Sequence, residues 1–301
     1  MKVQDGIIGF IVGDALGVPV EFKSGKTLRK NPVTGMRGHG TYNQPKGTWS
    51  DDSAMTLATM DSIVEKNGID LEDMMIKFCD WHNYAKYMQG SVVFDCGITV
   101  GTAIANYQRG IPALKSGCGE EQDNGNGSLM RILPLSYIGD IDYETIENVS
   151  ALTHAHARSK IACVLYVEIA KSMLKNNLTI EEHLHLAYDK IKEYYKDSNQ
   201  LIYFEKIFNN DLDCLSGKGY VIYTFECVVH SLLTTDNYKD AVLEAVNIGG
   251  DTDTNAAICG GLAGIYYDYD SIPVEWIGEI DKIEEVKSLC EKFEAICDEH
   301  W

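Results

Sequence analysis

The sequence predicts an all-α protein made of many helices in one compact domain. Apolar residues recur at helical spacing in several segments, and strand-like alternation is hard to find. Proline, which interrupts helices, occurs only six times in 301 residues. Apolar residues make up 45% of the chain and charged residues 24%, which is ordinary for a globular protein. A well-filled helical core is therefore expected.

Four segments carry the helical pattern most clearly. Residues 53–66 place apolar and small side chains on one stripe, and residues 159–174 form a run rich in alanine, valine and leucine. A third helix is predicted over 180–195, and the last thirty residues repeat the same spacing. Each predicted helix has an apolar face that needs neighbouring helices to cover it.

Breaks rich in glycine or proline separate these segments without dividing the chain. They fall at 24–48, 109–128 and 209–219, and none is long or polar enough to act as an interdomain linker. No repeat recurs at a fixed period. We therefore predict a single domain over residues 1–301.

Charge and cysteine content narrow the possible partners and the cellular location. The formal net charge of −19 argues against nucleic acid or an anionic membrane as the main partner, because either needs a basic face. The nine cysteines are odd in number and lack CxxC spacing, which favours reduced intracellular thiols. The longest uncharged run near the N-terminus, 6–13, is too short to span a bilayer, and no other stretch reaches that length. A cytoplasmic protein without a membrane partner is expected.

The segment GTWSDDSAM, residues 47–55, places two acids where a helix should begin. Ser50 and Asp51 are good N-cap candidates for a helix that starts near Ser53. Capping accounts for one acid, but adjacent Asp51 and Asp52 repel each other unless something neutralises them. A bound cation is therefore an alternative to simple capping.

A second acidic segment, GGDTDTNAA, supplies Asp251, Asp253 and Thr254 ahead of another helical run. Together the two segments offer hydroxyl and carboxylate oxygens, with no cysteine or histidine interleaved. Donor sets of this kind suit Mg²⁺ or Mn²⁺, and four carboxylates match the charge of two divalent ions. Simple capping at both segments remains open at this point. Small residues then recur at every fourth position, which permits close helix approach: Ala256, Gly260 and Gly264.

Three further segments could contribute to a site. In NGNGSLMR, residues 124–131, alternating Asn and Gly allow left-handed backbone conformations, and successive N–H groups could bind an anion. A tight turn is the alternative for such a loop. Glu21 ends the segment GDALGVPVE, and His154 lies in THAH. Each of these two is a weak signal by itself.

Taken together, these motifs identify the chain as similar to a known family. GDALGVPVE, GTWSDDSAM, FDCG-T at 94–99, NGNGSLMR, THAH and GGDTDTNAA follow the order found in the ADP-ribosylglycohydrolases related to dinitrogenase reductase-activating glycohydrolase. The resemblance runs from about residue 5 to about residue 275. It implies an all-α fold with a central cleft that holds two Mg²⁺ or Mn²⁺ ions.

The resemblance also implies a role for each matching position. Metal ligands carry over to six positions: Ser50, Asp51, Asp52, Asp251, Asp253 and Thr254. Ser50 stands where threonine is common and keeps the hydroxyl. Three carboxylates are expected to take part in catalysis: Glu21, Asp95 and Asp253. For Asp95 a helix cap is the alternative. Substrate contacts are expected from seven positions: Gly125, Asn126, Gly127, Ser128, Leu129, His154 and Tyr220.

The implied activity is hydrolysis of the glycosidic bond between ADP-ribose and a modified protein. Backbone N–H groups and metal ions would let an acidic protein hold a diphosphate without a basic patch. The FDCG-T segment, and GYVIYTFE at 219–226, resemble the arginine-directed bacterial branch. Serine, a nucleic-acid end or a small ADP-ribosyl metabolite are alternative acceptors, and a non-catalytic ADP-ribose binder is a third reading. The expected partners are an ADP-ribosylated protein and the product ADP-ribose, and the expected state is a monomer.

Overall fold

A computed structural model describes residues 3–208 and 215–300 of the chain. This part of the chain contains fifteen α-helices. Extended pairing within these ranges is limited to four isolated β-bridges, so the all-α prediction is confirmed. Part of the predicted break at 209–219, residues 209–214, lies outside the described residues. The helices are α1 Val3–Gly17, α2 Gly25–Lys30, α3 Asp51–Lys66, α4 Leu71–Tyr84, α5 Ile98–Gln108, α6 Ala113–Ser116, α7 Tyr143–Ala151, α8 Ala157–Lys175, α9 Ile180–Tyr194, α10 Ile202–Phe208, α11 Val221–Leu233, α12 Tyr238–Ile248, α13 Thr252–Tyr267, α14 Val274–Ile277 and α15 Ile283–His300.

The four helices predicted from periodicity are all present, with ends set by local capping. Helix α3 begins two residues earlier than predicted, because the Ser50 side chain accepts a hydrogen bond from the Asp52 N–H. Helix α9 begins with a capping box in which Thr179 and Glu182 satisfy each other's backbone N–H groups. The stretch 24–48, predicted as a break, contains the short helix α2.

Helices α1 and α13 form the centre of the fold and touch backbone to backbone. A Cβ atom on Gly9 would lie 2.5 Å from the Gly260 carbonyl oxygen, and one on Gly13 would lie 2.2 Å from that of Ala256. A Cβ on Gly264 would come within 2.1 Å of the Asp5 carbonyl oxygen. The predicted small-residue stripe on α13 therefore permits close helix approach, as expected. This contact places the last turn of α1 beside the first turn of α13.

The N-terminal helix is more apolar than a surface helix because it is enclosed on all sides. Val3–Val20 is long and apolar enough to cross a membrane by length and composition, contrary to the expectation that no stretch reaches that length. However, 94% of this window is buried inside the protein. Burial in the core therefore accounts for the apolar composition of α1.

Candidate active site

A cleft of about 660 Å³ opens where the N-terminal ends of α3, α5 and α13 meet the loop that contains Gly125. Backbone N–H groups at helix N-termini and side chains from distant parts of the sequence converge there. Nine residues predicted to form a site are among those lining the cleft: Glu21, Asp51, Asp95, Gly125, Asn126, Gly127, His154, Asp251 and Thr254. The remaining predicted residues do not line it: Ser50, Asp52, Ser128, Leu129, Tyr220 and Asp253.

The start of α3 is held by an aspartate of α1. Asp14 accepts hydrogen bonds from the Ser50 N–H at 2.9 Å, from the Ser53 N–H at 3.0 Å and from the Ser53 hydroxyl at 2.5 Å. Burial is the main cause that raises the pKa of Asp14 to about 6, and these hydrogen bonds oppose it. Asp14 thus fixes the direction in which Asp51 and Asp52 leave the helix end.

The two acidic segments, about two hundred residues apart in sequence, meet as predicted. The Thr254 hydroxyl donates to Asp52 Oδ2 at 3.2 Å, and the Ser50 hydroxyl donates to the same oxygen at 3.1 Å. Asp251 occupies the N-cap position of α13, but its side chain makes no capping hydrogen bond. It accepts instead from Asn126 Nδ2 at 2.8 Å. Simple capping therefore does not explain Asp251.

Glu21 and Asp95 lie next to the predicted metal ligand Asp253, although neither was predicted to bind metal. One carboxylate oxygen each from Glu21, Asp95 and Asp253 lies within 4.8 Å of the other two, a spacing that one cation could bridge. The alternative reading of Asp95 as a helix cap is wrong: Gly97 is the N-cap of α5, and Asp95 adopts a left-handed φ of +55°. This conformation is uncommon for a residue with a side chain, so the surrounding structure must hold it.

The buried acids carry more negative charge than the described side chains compensate. Burial, followed by neighbouring carboxylates, raises the pKa of Asp51 and Asp253 well above its ordinary value. Burial and then Asp95 raise the pKa of Glu21 to about 9. Among the described acids of this site, three buried carboxylate oxygens have no hydrogen-bond partner: Glu21 Oε2, Asp52 Oδ1 and Asp253 Oδ2. Unpaired buried carboxylate oxygens of this kind are the donors that hard divalent cations bind, so the residues fit a metal site.

The loop at 124–131 lies against the cleft, but not in the conformation expected from its glycines. Neither Gly125 nor Gly127 is among the residues with positive φ, so the expectation of left-handed conformations is wrong. These glycines instead allow close packing, since a Cβ on Gly127 would lie 2.8 Å from His154 Cε1. Ser128 and Leu129 are fully buried behind the loop. The cleft therefore meets the loop at residues 125–127 and at Met130.

His154 and Tyr220 support this loop from two sides. His154 is buried, its Nδ1 lies 2.9 Å from the Thr153 hydroxyl, and burial followed by the charge of Arg131 lowers its pKa to about 3. The imidazole is therefore neutral. The Tyr220 backbone pairs with Gly125, and its hydroxyl accepts from Arg158 Nη1 at 2.8 Å. The Tyr220 side chain is thus engaged with Arg158.

The family model for ADP-ribosylglycohydrolase matches residues 1–300, which is nearly the whole chain. The chain belongs to the ADP-ribosylglycohydrolase family. The resemblance inferred from six short motifs is therefore confirmed, and so is the prediction of an enzyme, because the family is one of hydrolases.

Two relatives are similar to the chain over most of its length, and a solved structure shares its fold. The chain is 27% identical over 302 residues to the ADP-ribosylarginine hydrolase Tri1 of Serratia proteamaculans, covering 97% of this chain and 78% of that protein. It is 29% identical to the ADP-ribosyl-[dinitrogen reductase] glycohydrolase of Rhodospirillum rubrum, covering 94% and 92% respectively. A solved structure of an ADP-ribosylglycohydrolase-related protein complex aligns with a TM-score of 0.83 at 24% identity, covering 98% of both chains. That last likeness concerns the fold alone.

Sequence reasoning missed two parts of the site in this ADP-ribosylglycohydrolase. Asp14 lies in the segment GDALGVPVE and was given no role, although an acid within such an apolar helix signals a buried partner. Aromatic side chains near the cleft, Phe22, Tyr42 and Phe94, carried no recognisable spacing. Their proximity arises only when the segments around residues 22, 42 and 94 pack together.

Proposed function

We propose that this protein hydrolyses the bond between ADP-ribose and a modified arginine side chain with the help of two divalent cations, Mg²⁺ or Mn²⁺. The observation that carries the proposal is the set of unpaired buried oxygens on Glu21, Asp52 and Asp253 beside a glycine-lined loop. A carboxylate cluster next to a cleft of ligand size suits a metal-assisted hydrolase.

The cations would be held by oxygen donors from the two acidic segments, 50–52 and 251–254. Bound there, they supply Lewis-acid chemistry and offset the negative charge of the carboxylates. Ser50 and Thr254 direct their hydroxyl hydrogens to Asp52, which fixes the carboxylate in one orientation. Asp14 keeps the start of α3 in place. Oxygen ligands of this type favour Mg²⁺ or Mn²⁺ over zinc.

The chain's own residues account for the remaining tasks. Gly125, Asn126 and Gly127 line the cleft and offer a place for the diphosphate, with Lys23 and Lys218 in the same lining. Glycosidic hydrolysis needs a proton taken from the attacking water and a proton given to the departing nitrogen. We assign this proton handling to the pair Glu21 and Asp95, which lie within 4.8 Å of each other.

Arginine is the preferred acceptor for two reasons. The relatives from Serratia proteamaculans and Rhodospirillum rubrum bear names of ADP-ribosylarginine and ADP-ribosyl-protein hydrolysis. A guanidinium cation would also enter a cleft whose wall carries the carboxylates of Glu21 and Asp95, with favourable electrostatics. A neutral serine would gain nothing from these charges.

Other acceptors and a binding-only role are the competing hypotheses. A protein that only binds ADP-ribose would be expected to lose metal ligands, and all six proposed positions keep an oxygen donor. The partner would be an ADP-ribosylated protein and the product ADP-ribose, while the net charge of −19 disfavours nucleic acid. A cytoplasmic monomer remains our expectation.

The test is turnover of two ADP-ribosylated peptides, one linked through arginine and one through serine. The metal-loaded protein should release ADP-ribose from the arginine peptide at least about tenfold faster, and chelator should abolish this activity. Asp253→Asn should lose activity and Mn²⁺ binding while keeping its helical circular dichroism. The control Asp189→Asn changes an exposed aspartate on α9 and should match the wild type. Full activity of Asp253→Asn in the presence of chelator would contradict the metal-dependent mechanism.

A further inference from the structure

Three aromatic side chains pack in a row, and Phe22, the first of them, lines the cleft. Two of the three adjoin a proposed catalytic carboxylate in sequence. Phe22 follows Glu21, and Phe94 precedes Asp95. The Tyr42 ring lies between them, with its centroid 6.4 Å from that of Phe22 and 4.9 Å from that of Phe94. We call Phe22, Tyr42 and Phe94 the aromatic wall.

Phe22 is held in an unusual position. Its side chain is 69% exposed and lines the cleft, although exposed phenylalanine gains little from water. Its backbone has a left-handed φ of +63°, which is a rare conformation for a bulky residue. The Phe22 N–H donates to the Gly250 carbonyl at 2.7 Å, which ties this conformation to the loop before α13. The strained backbone at Phe22 lowers the stability of the fold, and it places a phenyl ring at the cleft.

The carboxylates beside the wall have capacity for a further partner. Glu21 is 3% exposed, and its Oε2 atom makes no hydrogen bond. The Tyr42 hydroxyl faces both Glu21 and Asp95, and burial together with these acids raises the pKa of Tyr42. Tyr42 therefore stays a neutral hydrogen-bond donor. Flat π surfaces next to unpaired acceptor oxygens suit a planar cation that also carries N–H donors.

We propose that the aromatic wall and the adjacent carboxylates form the subsite that selects a guanidinium leaving group. The planar cation would stack against Phe22, whose ring Tyr42 contacts edge to face, while its N–H groups donate to Glu21 and Asp95. A serine hydroxyl offers neither a charge nor a plane, so the wall would discriminate against it. This inference rests on the proposed arginine activity and assigns residues that set its specificity.

The test compares Phe22→Leu with the wild type, both loaded with Mn²⁺. Leucine keeps an apolar side chain at position 22 but removes the ring. The kcat/KM for the arginine-linked peptide should fall by about 2-fold to 30-fold, the range of a cation–π contact from exposed to desolvated. The Kd for ADP-ribose and the value for the serine-linked peptide should change less than about twofold, since neither presents a cation. The control Tyr84→Leu removes a ring that is 78% exposed at the end of α4, and should have no effect.

A second readout separates this inference from the proposed activity. Agmatine, a free guanidinium compound, is titrated into the protein loaded with Mn²⁺ and ADP-ribose, and its affinity should be weaker in Phe22→Leu than in the wild type. If the wild type hydrolyses neither peptide, the proposed activity is wrong. Agmatine binding then becomes the only test of whether the aromatic wall binds a guanidinium group. If the agmatine affinity and the kcat/KM for the arginine-linked peptide are both unchanged, the aromatic wall does not select guanidinium. The proposed hydrolase activity is not affected by that result. An equal loss on both peptides or in ADP-ribose binding also overturns the role of the aromatic wall, because selection between acceptors would be absent.

Discussion

Asp14 offers a sharp test of how the fold builds the site, because it touches the start of α3 without lining the cleft. The substitution Asp14→Ala removes the acceptor of the Ser50 N–H, the Ser53 N–H and the Ser53 hydroxyl. Each of these groups is buried in the folded protein. Without Asp14 they lose their partner at the point where Asp51 and Asp52 begin the helix.

The expected loss of stability follows from two opposing terms. Leaving a buried donor unpaired costs about 1–3 kcal/mol, so three donors together cost about 6 kcal/mol. Against this, the pKa of Asp14 is raised from 3.8 to about 6, and a shift of about two units means that its buried charge costs about 3 kcal/mol at neutral pH. Removing the charge recovers that amount. The net loss for Asp14→Ala is therefore about 3 kcal/mol.

Urea unfolding monitored by circular dichroism measures this loss directly. Ser53→Ala removes only the hydroxyl donor. A double-mutant cycle of Asp14→Ala and Ser53→Ala should give a coupling free energy of about 1.5–3 kcal/mol, as for a hydrogen bond to a charged group. We also expect Asp14→Ala to slow turnover by at least about tenfold, because a displaced helix start moves Asp51 and Asp52. A loss below about 1 kcal/mol with normal turnover would refute the anchoring role.

Two further predictions concern the acids and the loop. The raised pKa values of Asp14, about 6, and of Glu21, about 9, mean that the folded state holds more protons than the unfolded chain between about pH 4 and 9. The melting temperature in chelator should therefore fall as pH rises through this range, and Mn²⁺ should restore it more at pH 8 than at pH 5; a rise with pH in chelator would contradict this. Gly127→Val should weaken ADP-ribose binding in calorimetry by at least about tenfold, because its Cβ would meet His154 and intrude beside the ligand, while Mn²⁺ affinity changes little. Gly90→Val, where a Cβ meets nothing within 4 Å, is the matched control, and equal ADP-ribose affinity in both variants would leave the loop as a simple turn.

Most of the architecture followed from local sequence patterns. Helices α3, α8, α9 and α15 were predictable because apolar and small residues recur at helical spacing within each segment. The stripe of small residues on α13 likewise predicted a close contact with another helix, which is α1. The meeting of the two acidic segments was predictable for a chemical reason, since adjacent carboxylates need a common counter-charge.

The tertiary structure alone decided how the site is assembled. Asp14 lies 36 residues before Ser50 and Thr254 lies 202 residues after Asp52, so no local pattern encodes these hydrogen bonds. Asp95 was open to interpretation as a helix cap, and only the folded chain turned it toward Glu21. Helix signals depend on neighbours within one or two turns, whereas burial and pKa depend on segments that meet only after packing. The sequence by itself therefore determined the helices and the donor chemistry, and packing determined which of those donors face one another.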